Sequence, residues 1–108
     1  MKGPKRDEVW LVSPDPTHGS ENQKTRPCLI ISPDEINEYL RTVVVAPMTT
    51  AERSYPTRVA ISFQNRRGQV ALDQIRAVDR ERLLRKLGTA SAKTVQTVSS
   101  VLVEMFTR

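Results

Sequence analysis

The apolar residues of this chain fall into five short runs of strand type and one closing stripe of helical spacing. That division limits the fold more than any other feature. Asp7–Val12, Arg26–Ser32, Thr42–Met48, Thr57–Phe63 and Gln69–Val78 are rich in valine and isoleucine and read as strands. Arg26–Ser32 is apolar enough to be buried on both faces, whereas Val59, Ile61 and Phe63 alternate along Thr57–Phe63. The connections are polar. Ser13–Thr25 carries Pro14, Pro16 and Gly19 and is long for a link between strands, a length usually tied to function. Pro33-Asp34 introduces a short helical turn through Leu40, Ala51–Pro56 is a second polar loop, and Gln64–Gly68 is a turn. Asp79 can cap a short helix over Arg80–Leu84, and Lys86–Ala90 reads as extended.

Ser91 is a natural N-cap for a terminal helix through Phe106, in which Val95, Val98, Leu102 and Met105 form one apolar stripe. With 108 residues there is room for one domain, residues 1–108, and no second core. The expected class is α+β, mainly β: a small, strongly curved sheet or barrel packed by one helix.

Several classes of function drop out on composition. Cys28 stands alone in an apolar run, so no intramolecular disulfide forms, and it reads as a small core residue rather than a catalytic thiol. His18 is the single histidine, which removes any mechanism needing a histidine pair and leaves no zinc-type cluster. The N-terminus is basic but no apolar signal core follows it, and no run approaches the roughly 20 residues of a membrane span. A cytoplasmic protein is expected. Seventeen Lys and Arg against twelve Asp and Glu give a net charge of +5, which favours a polyanionic partner, either nucleic acid or an acidic protein segment.

Four blocks then carry a resemblance. The first is Glu8-Val9-Trp10-Leu11-Val12 with Asp15-Pro16-Thr17 and Gly19-Ser20-Glu21. The second is Thr25-Arg26-Pro27-Cys28-Leu29-Ile30-Ile31-Ser32-Pro33, and the third Val45-Ala46-Pro47-Met48-Thr49-Thr50. Tyr55-Pro56-Thr57 and Ala71-Leu72-Asp73-Gln74-Ile75-Arg76-Ala77-Val78-Asp79 complete the series. In this order and spacing the chain resembles the MazF/PemK toxins of type II toxin–antitoxin systems.

The resemblance implies an SH3-like small β-barrel (CcdB/PemK-like), a homodimer, and metal-independent, sequence-selective cutting of single-stranded RNA with no cofactor. It also implies inhibition by an acidic antitoxin that folds over the RNA groove. The family's arginine before proline falls at Arg26, its threonine after the third strand at Thr49, its first-loop glutamate at Glu21, and its aspartate–glutamine pair at Asp73 and Gln74. Thr17, Ser20, Thr25, Thr50, Asp73, Gln74 and Arg76 are the expected RNA contacts.

This chain departs from the pattern at Asp7, where the family usually has glycine, and at Asn22 and Lys24, where glutamine and glycine are common. Some members place a histidine where this chain has Ser20 and an arginine where it has Ala71, so their acid–base assignment does not carry over. A gyrase poison of the CcdB type is the alternative on the same architecture. It ends in a Trp-Gly-Ile tail and lacks the Arg-Pro block, whereas this chain ends Met105-Phe106-Thr107-Arg108 and has Arg26-Pro27. An inactive RNA-binding relative is a further alternative.

RNA supplies its own nucleophile, the 2′-hydroxyl, so the protein must remove a proton, stabilise the charge on phosphorus and protonate the leaving 5′-oxygen. Arg26 suits the second task because its planar fork grips phosphate and keeps its charge. Thr49 can donate to a non-bridging oxygen, and Glu21 or its loop is the candidate for proton removal. Structural readings compete with each: Arg26 pairing with Asp73 or Glu21, Thr49 capping a turn, His18 as an exposed loop residue on which a base could stack. Arg66-Arg67 reads as a solvated turn, with a phosphate contact as the alternative, and Trp10 as core or dimer packing.

Overall fold

The computed structural model describes residues 3–13 and 24–108. In order along the chain come β1 (Glu8–Val12), β2 (Arg26–Ile30), α1 (Asp34–Asn37) and β3 (Thr42–Thr49). There follow β4 (Arg58–Phe63), β5 (Arg66–Ala71), β6 (Arg76–Asp79), β7 (Leu83–Thr89) and α2 (Ala92–Phe106). All strand pairs are antiparallel, and the hydrogen-bonded order runs β4-β5-β3-β2-β1-β7, with β6 also on β3. The result is a mainly β, strongly curled sheet with one long helix against it, as the patterning implied.

The curl comes from the way β3 is shared. Its first half pairs with β6 (Thr42↔Asp79 to Val45↔Arg76) and its last residues with β5 (Met48↔Val70, Thr49↔Gln69). The single strand expected over Gln69–Val78 is therefore two strands, broken by a 3-10 turn at Leu72–Gln74. Val70, Ala71 and Leu72 are all buried, and at Leu72 the backbone leaves the β4–β5 ladder: its N–H donates to Thr57 O at 3.1 Å, and the 3-10 turn begins there.

Two other expectations shift. The Gln64–Gly68 turn contracts to Gln64-Asn65, both with positive φ (50° and 63°), because Phe63 pairs directly with Arg66 in a two-residue hairpin. The helix expected over Arg80–Leu84 is a single 3-10 turn, Arg80–Arg82, after which β7 takes over and pairs with β1. Asp79 does cap it, accepting from the Glu81 N–H at 2.9 Å.

The sheet is buried on both faces. On one side Val9, Leu29, Ala46, Val59, Ile61, Val70 and Leu72 pack under Val98 of α2, flanked by Val95, Leu102 and Met105. On the other, Val12, Cys28, Ile30, Val43, Val45 and Val78 meet Trp10 and Leu83. β2 contributes Leu29 to the first core and Cys28 and Ile30 to the second, as its unbroken apolar run anticipated. Ser91 caps α2 by accepting from the Thr94 N–H at 3.2 Å.

One charged group is built into β1. The Glu8 carboxylate is nearly buried, and accepts from the Lys5 N–H (2.9 Å) and the Trp10 indole N–H (2.9 Å) while pairing with Lys86 at 3.0 Å. No helix among the described residues is long and apolar enough to cross a membrane.

Candidate functional site: a basic groove over the ends of β2 and β3

Register brings the two motif residues together. β2 and β3 pair with Cys28 opposite Pro47, so two residues further the same register sets Arg26 level with Thr49. The ladder ends before that point, and the separated strand ends form one side of a groove of about 570 Å³. Lys24, Thr25 and Arg26 line it from β2 and the segment before it, Thr49 and Thr50 from the end of β3. Met48, Ile61, Phe63 and Leu87 give it apolar lining, and Gln64, Arg66 and Arg67 of the β4–β5 hairpin close the far side.

Its electrostatics are one-sided. Lys24, Arg26, Arg66 and Arg67 contribute four cations, and no carboxylate lines the groove among the described residues. Arg26 is exposed, and neither ion pair described in the structure involves it. Among the described residues, no carboxylate occupies its guanidinium. The Thr49 hydroxyl oxygen accepts from the Ala51 N–H at 3.1 Å. The turn-capping role is therefore real, but acceptance leaves the hydroxyl proton free to donate into the groove. Behind the site, burial pushes the Cys28 thiol up to about 11 despite the nearby Arg26 and Arg76 charges, so the cysteine is a neutral core group.

The remaining expected contacts divide. Thr25 and Thr50 line the groove beside Arg26 and Thr49. Asp73, Gln74 and Arg76 do not line it, since they lie in and after the 3-10 break. Asp73 is engaged elsewhere. Its carboxylate accepts from Arg58 Nε (2.8 Å) and Nη2 (3.3 Å) and from the Thr57 hydroxyl (3.0 Å). The Arg58 bond is the main reason the Asp73 carboxyl titrates below the ordinary carboxylate range. Arg58 in turn stacks over the Tyr55 ring at 5.1 Å. The supposed Arg26–Asp73 pair is thus replaced by Arg58–Asp73. Thr17, His18, Ser20 and Glu21 lie outside the described residues, as does the question of an Arg26–Glu21 pair.

The hairpin wall is what motif reading underrated. Arg66-Arg67 beside a tight turn was a visible signal, but only the β5–β3 pairing shows that these cations face the same opening as Arg26. Among the described residues, no group of three His, Cys, Asp or Glu side chains is gathered to hold a metal ion.

Comparison with known proteins agrees with this fold. The model of the PemK-like, MazF-like toxin family of type II toxin–antitoxin systems matches residues 5–106. Endoribonuclease toxin MazF of Escherichia coli is 34% identical over 95 residues, covering 87% of this chain and 85% of that protein. Endoribonuclease MazF of Staphylococcus saprophyticus is 34% identical over 104 residues, covering 91% and 87%. A chain of the MazE–MazF crystal structure (Form-II) from Deinococcus radiodurans superposes with a TM-score of 0.83 at 25% identity, covering 97% of this chain and 96% of that one. With the family model matched over residues 5–106 and relatives 34% identical across most of its length, the chain belongs to the PemK-like, MazF-like family of type II toxin–antitoxin toxins.

Proposed function

We propose that this protein is the endoribonuclease toxin of a cytoplasmic toxin–antitoxin pair, cutting single-stranded RNA in the groove between the β2–β3 ends and the β4–β5 hairpin. The observation that carries this reading is Arg26, without an ion pair among the described residues, lining with Thr49 a groove that has four described cations and no described carboxylate. A chain of phosphates is attracted there, and the apolar lining offers surfaces for bases. The ribose 2′-oxygen attacks the adjacent phosphorus, a new P–O2′ bond forms and the P–O5′ bond breaks. The 2′-oxygen loses its proton to a base and the departing 5′-oxygen takes one from solvent, giving a 2′,3′-cyclic phosphate and a free 5′-hydroxyl.

Arg26 holds the charge that builds on the non-bridging oxygens, and the Thr49 hydroxyl donates to one of them. The first-loop glutamate, Glu21, is the candidate to take the 2′-proton. A homodimer and an acidic antitoxin complete the reading. A partner seated on the groove would satisfy the same four cations, and MazE–MazF complexes exist among the structural relatives.

The test is single-turnover cleavage and RNA affinity for wild type, Arg26→Ala, Arg26→Lys and Thr49→Ala, all with EDTA present. Losing Arg26 should slow cleavage on the order of a hundredfold or more. Lysine should not rescue it, since the charge returns without the fork. Affinity should fall much less, because Lys24, Arg66 and Arg67 remain. Near wild-type cutting by Arg26→Ala would misplace the site, and cutting of RNA with a deoxyribose at the scissile bond would refute the 2′-hydroxyl route.

A further inference from the structure

The far end of the loop that follows Thr49 is held by the Gln69 side chain. Gln69 lies in β5 directly opposite Thr49 in the β3–β5 ladder. Its Oε1 accepts from the Arg53 backbone N–H at 3.1 Å, and its Nε2 donates to the Arg53 backbone carbonyl at 3.1 Å. The carboxamide therefore stands in for a strand backbone, offering one acceptor and one donor to a segment that has left the sheet. The five residues from Thr49 to Arg53 are tied at both ends, since the Thr49 hydroxyl accepts from the Ala51 N–H. Next to Gln69, Gly68 lets β5 approach so closely that a Cβ there would lie 2.6 Å from the Thr49 carbonyl oxygen. A partly buried polar side chain spent wholly on the main chain of a loop at the groove's lip has little other use there.

We infer that Gln69 is a positioning residue for the Thr49–Thr50 lip of the groove, acting through its two bonds to the Arg53 main chain rather than through any contact with substrate. The inference rests on the endoribonuclease reading for its activity arm. Only a carboxamide at this reach provides both bonds. Methionine matches the length and provides neither, and glutamate keeps the acceptor but sets a carboxylate against the Arg53 carbonyl. Without the clamp the lip samples other positions, and the Thr49 hydroxyl is aligned for only part of the time.

The experiment compares wild type, Gln69→Met and Gln69→Glu. Cleavage is measured in single turnover at saturating RNA, RNA affinity by titration, thermal stability by melting, and exchange of the Ala51 and Arg53 amides by NMR. Both variants should cut about tenfold more slowly at saturation, with affinity for Gln69→Met within about twofold of wild type. The Arg53 amide should exchange faster in Gln69→Met. The melting point should move little, and if methionine unfolds the chain the glutamate variant carries the test. Wild-type cutting rates in both variants would overturn the inference, as would an unchanged Arg53 exchange in Gln69→Met. If wild type itself cuts no RNA, the functional reading fails, and the amide exchange still decides whether the clamp exists.

Discussion

Asp7 offers a stability test whose sign follows from one dihedral angle. Lys5 to Glu8 form a turn closed by the Glu8 N–H donating to the Lys5 carbonyl at 3.1 Å, with Asp7 at its third position and φ at 76°. That is the geometry of a type II turn, where glycine is favoured because any Cβ crowds the backbone. Asp7 cannot relax out of it. Its N–H donates to Ile30 O at 3.0 Å, and its carbonyl accepts from the Ala90 N–H at 2.9 Å, tying β1 to both neighbouring segments. The left-handed conformation costs an ordinary residue about 1–2 kcal/mol, with aspartate near the lower end. Glycine forfeits roughly 0.5 kcal/mol of that relief through its freer unfolded chain.

The carboxyl adds to the cost. Burial raises its pKa, Arg6 opposes the shift and nearby Asp34 adds to it. A carboxylate with a raised folded pKa subtracts stability above that pKa, and the penalty disappears as the pH falls through it. Asp7→Gly should therefore stabilise by about 0.5 kcal/mol or somewhat more at neutral pH, or roughly 2–4 °C in Tm. Part of the gain should vanish by about pH 3. Urea and thermal unfolding at one fixed protein concentration would measure it, with Asp7→Ala as the control that removes the charge but keeps the Cβ. A glycine variant no more stable than wild type, or less stable than the alanine one, would refute the reasoning.

Three further outcomes follow from particular contacts. Desolvation raises the Glu8 carboxyl pKa, but the bonds from Lys5, Trp10 and Lys86 together outweigh it and leave the pKa lowered. Glu8→Ala should thus cost about 2–3 kcal/mol near neutral pH, and Glu8→Gln should differ from wild type less and less as the pH falls through the folded carboxyl value, by urea unfolding. Asp73→Asn breaks the brace to Arg58 and Thr57, so it should lower Tm while RNA affinity stays within about twofold, by melting and titration. Arg66→Ala and Arg67→Ala should each weaken RNA binding and reduce the slope of log affinity against log salt by about 0.7, the value for one phosphate contact on a single strand. An unchanged slope would remove the hairpin from the RNA path.

How much of this was readable from residue order depends on whether the governing interaction was local. The five strand regions and α2 were readable, because burial on one face or two leaves a period in the apolar residues that survives without any partner. Arg26 and Thr49 were readable as a pair only through the motif blocks, and it is the β2–β3 pairing that carries them to one groove. The break at Leu72–Gln74 was hidden. A run of Val70, Ala71 and Leu72 looks the same whether the strand continues or turns, and the difference is made by Thr57, fifteen residues earlier, accepting the Leu72 N–H.

The same distance explains Asp73. Its motif position suggested a ligand contact, while its actual partner, Arg58, stands outside the motif and becomes visible only once β4 lies alongside β5. Asp7 is the converse case. Its departure from the usual glycine was plain in the sequence but carried no physical meaning until the turn's φ gave it one. Charge behaves in the same way. A net +5 says that some face is basic, whereas the pairing of β5 with β3 decides that Arg66 and Arg67 join Lys24 and Arg26 around one opening. A motif thus names residues able to do chemistry, and strand register decides which of them meet. In this chain the register divides one motif set in two, with Arg26 and Thr49 at the groove and Asp73 in the brace beneath the β4–β5 sheet.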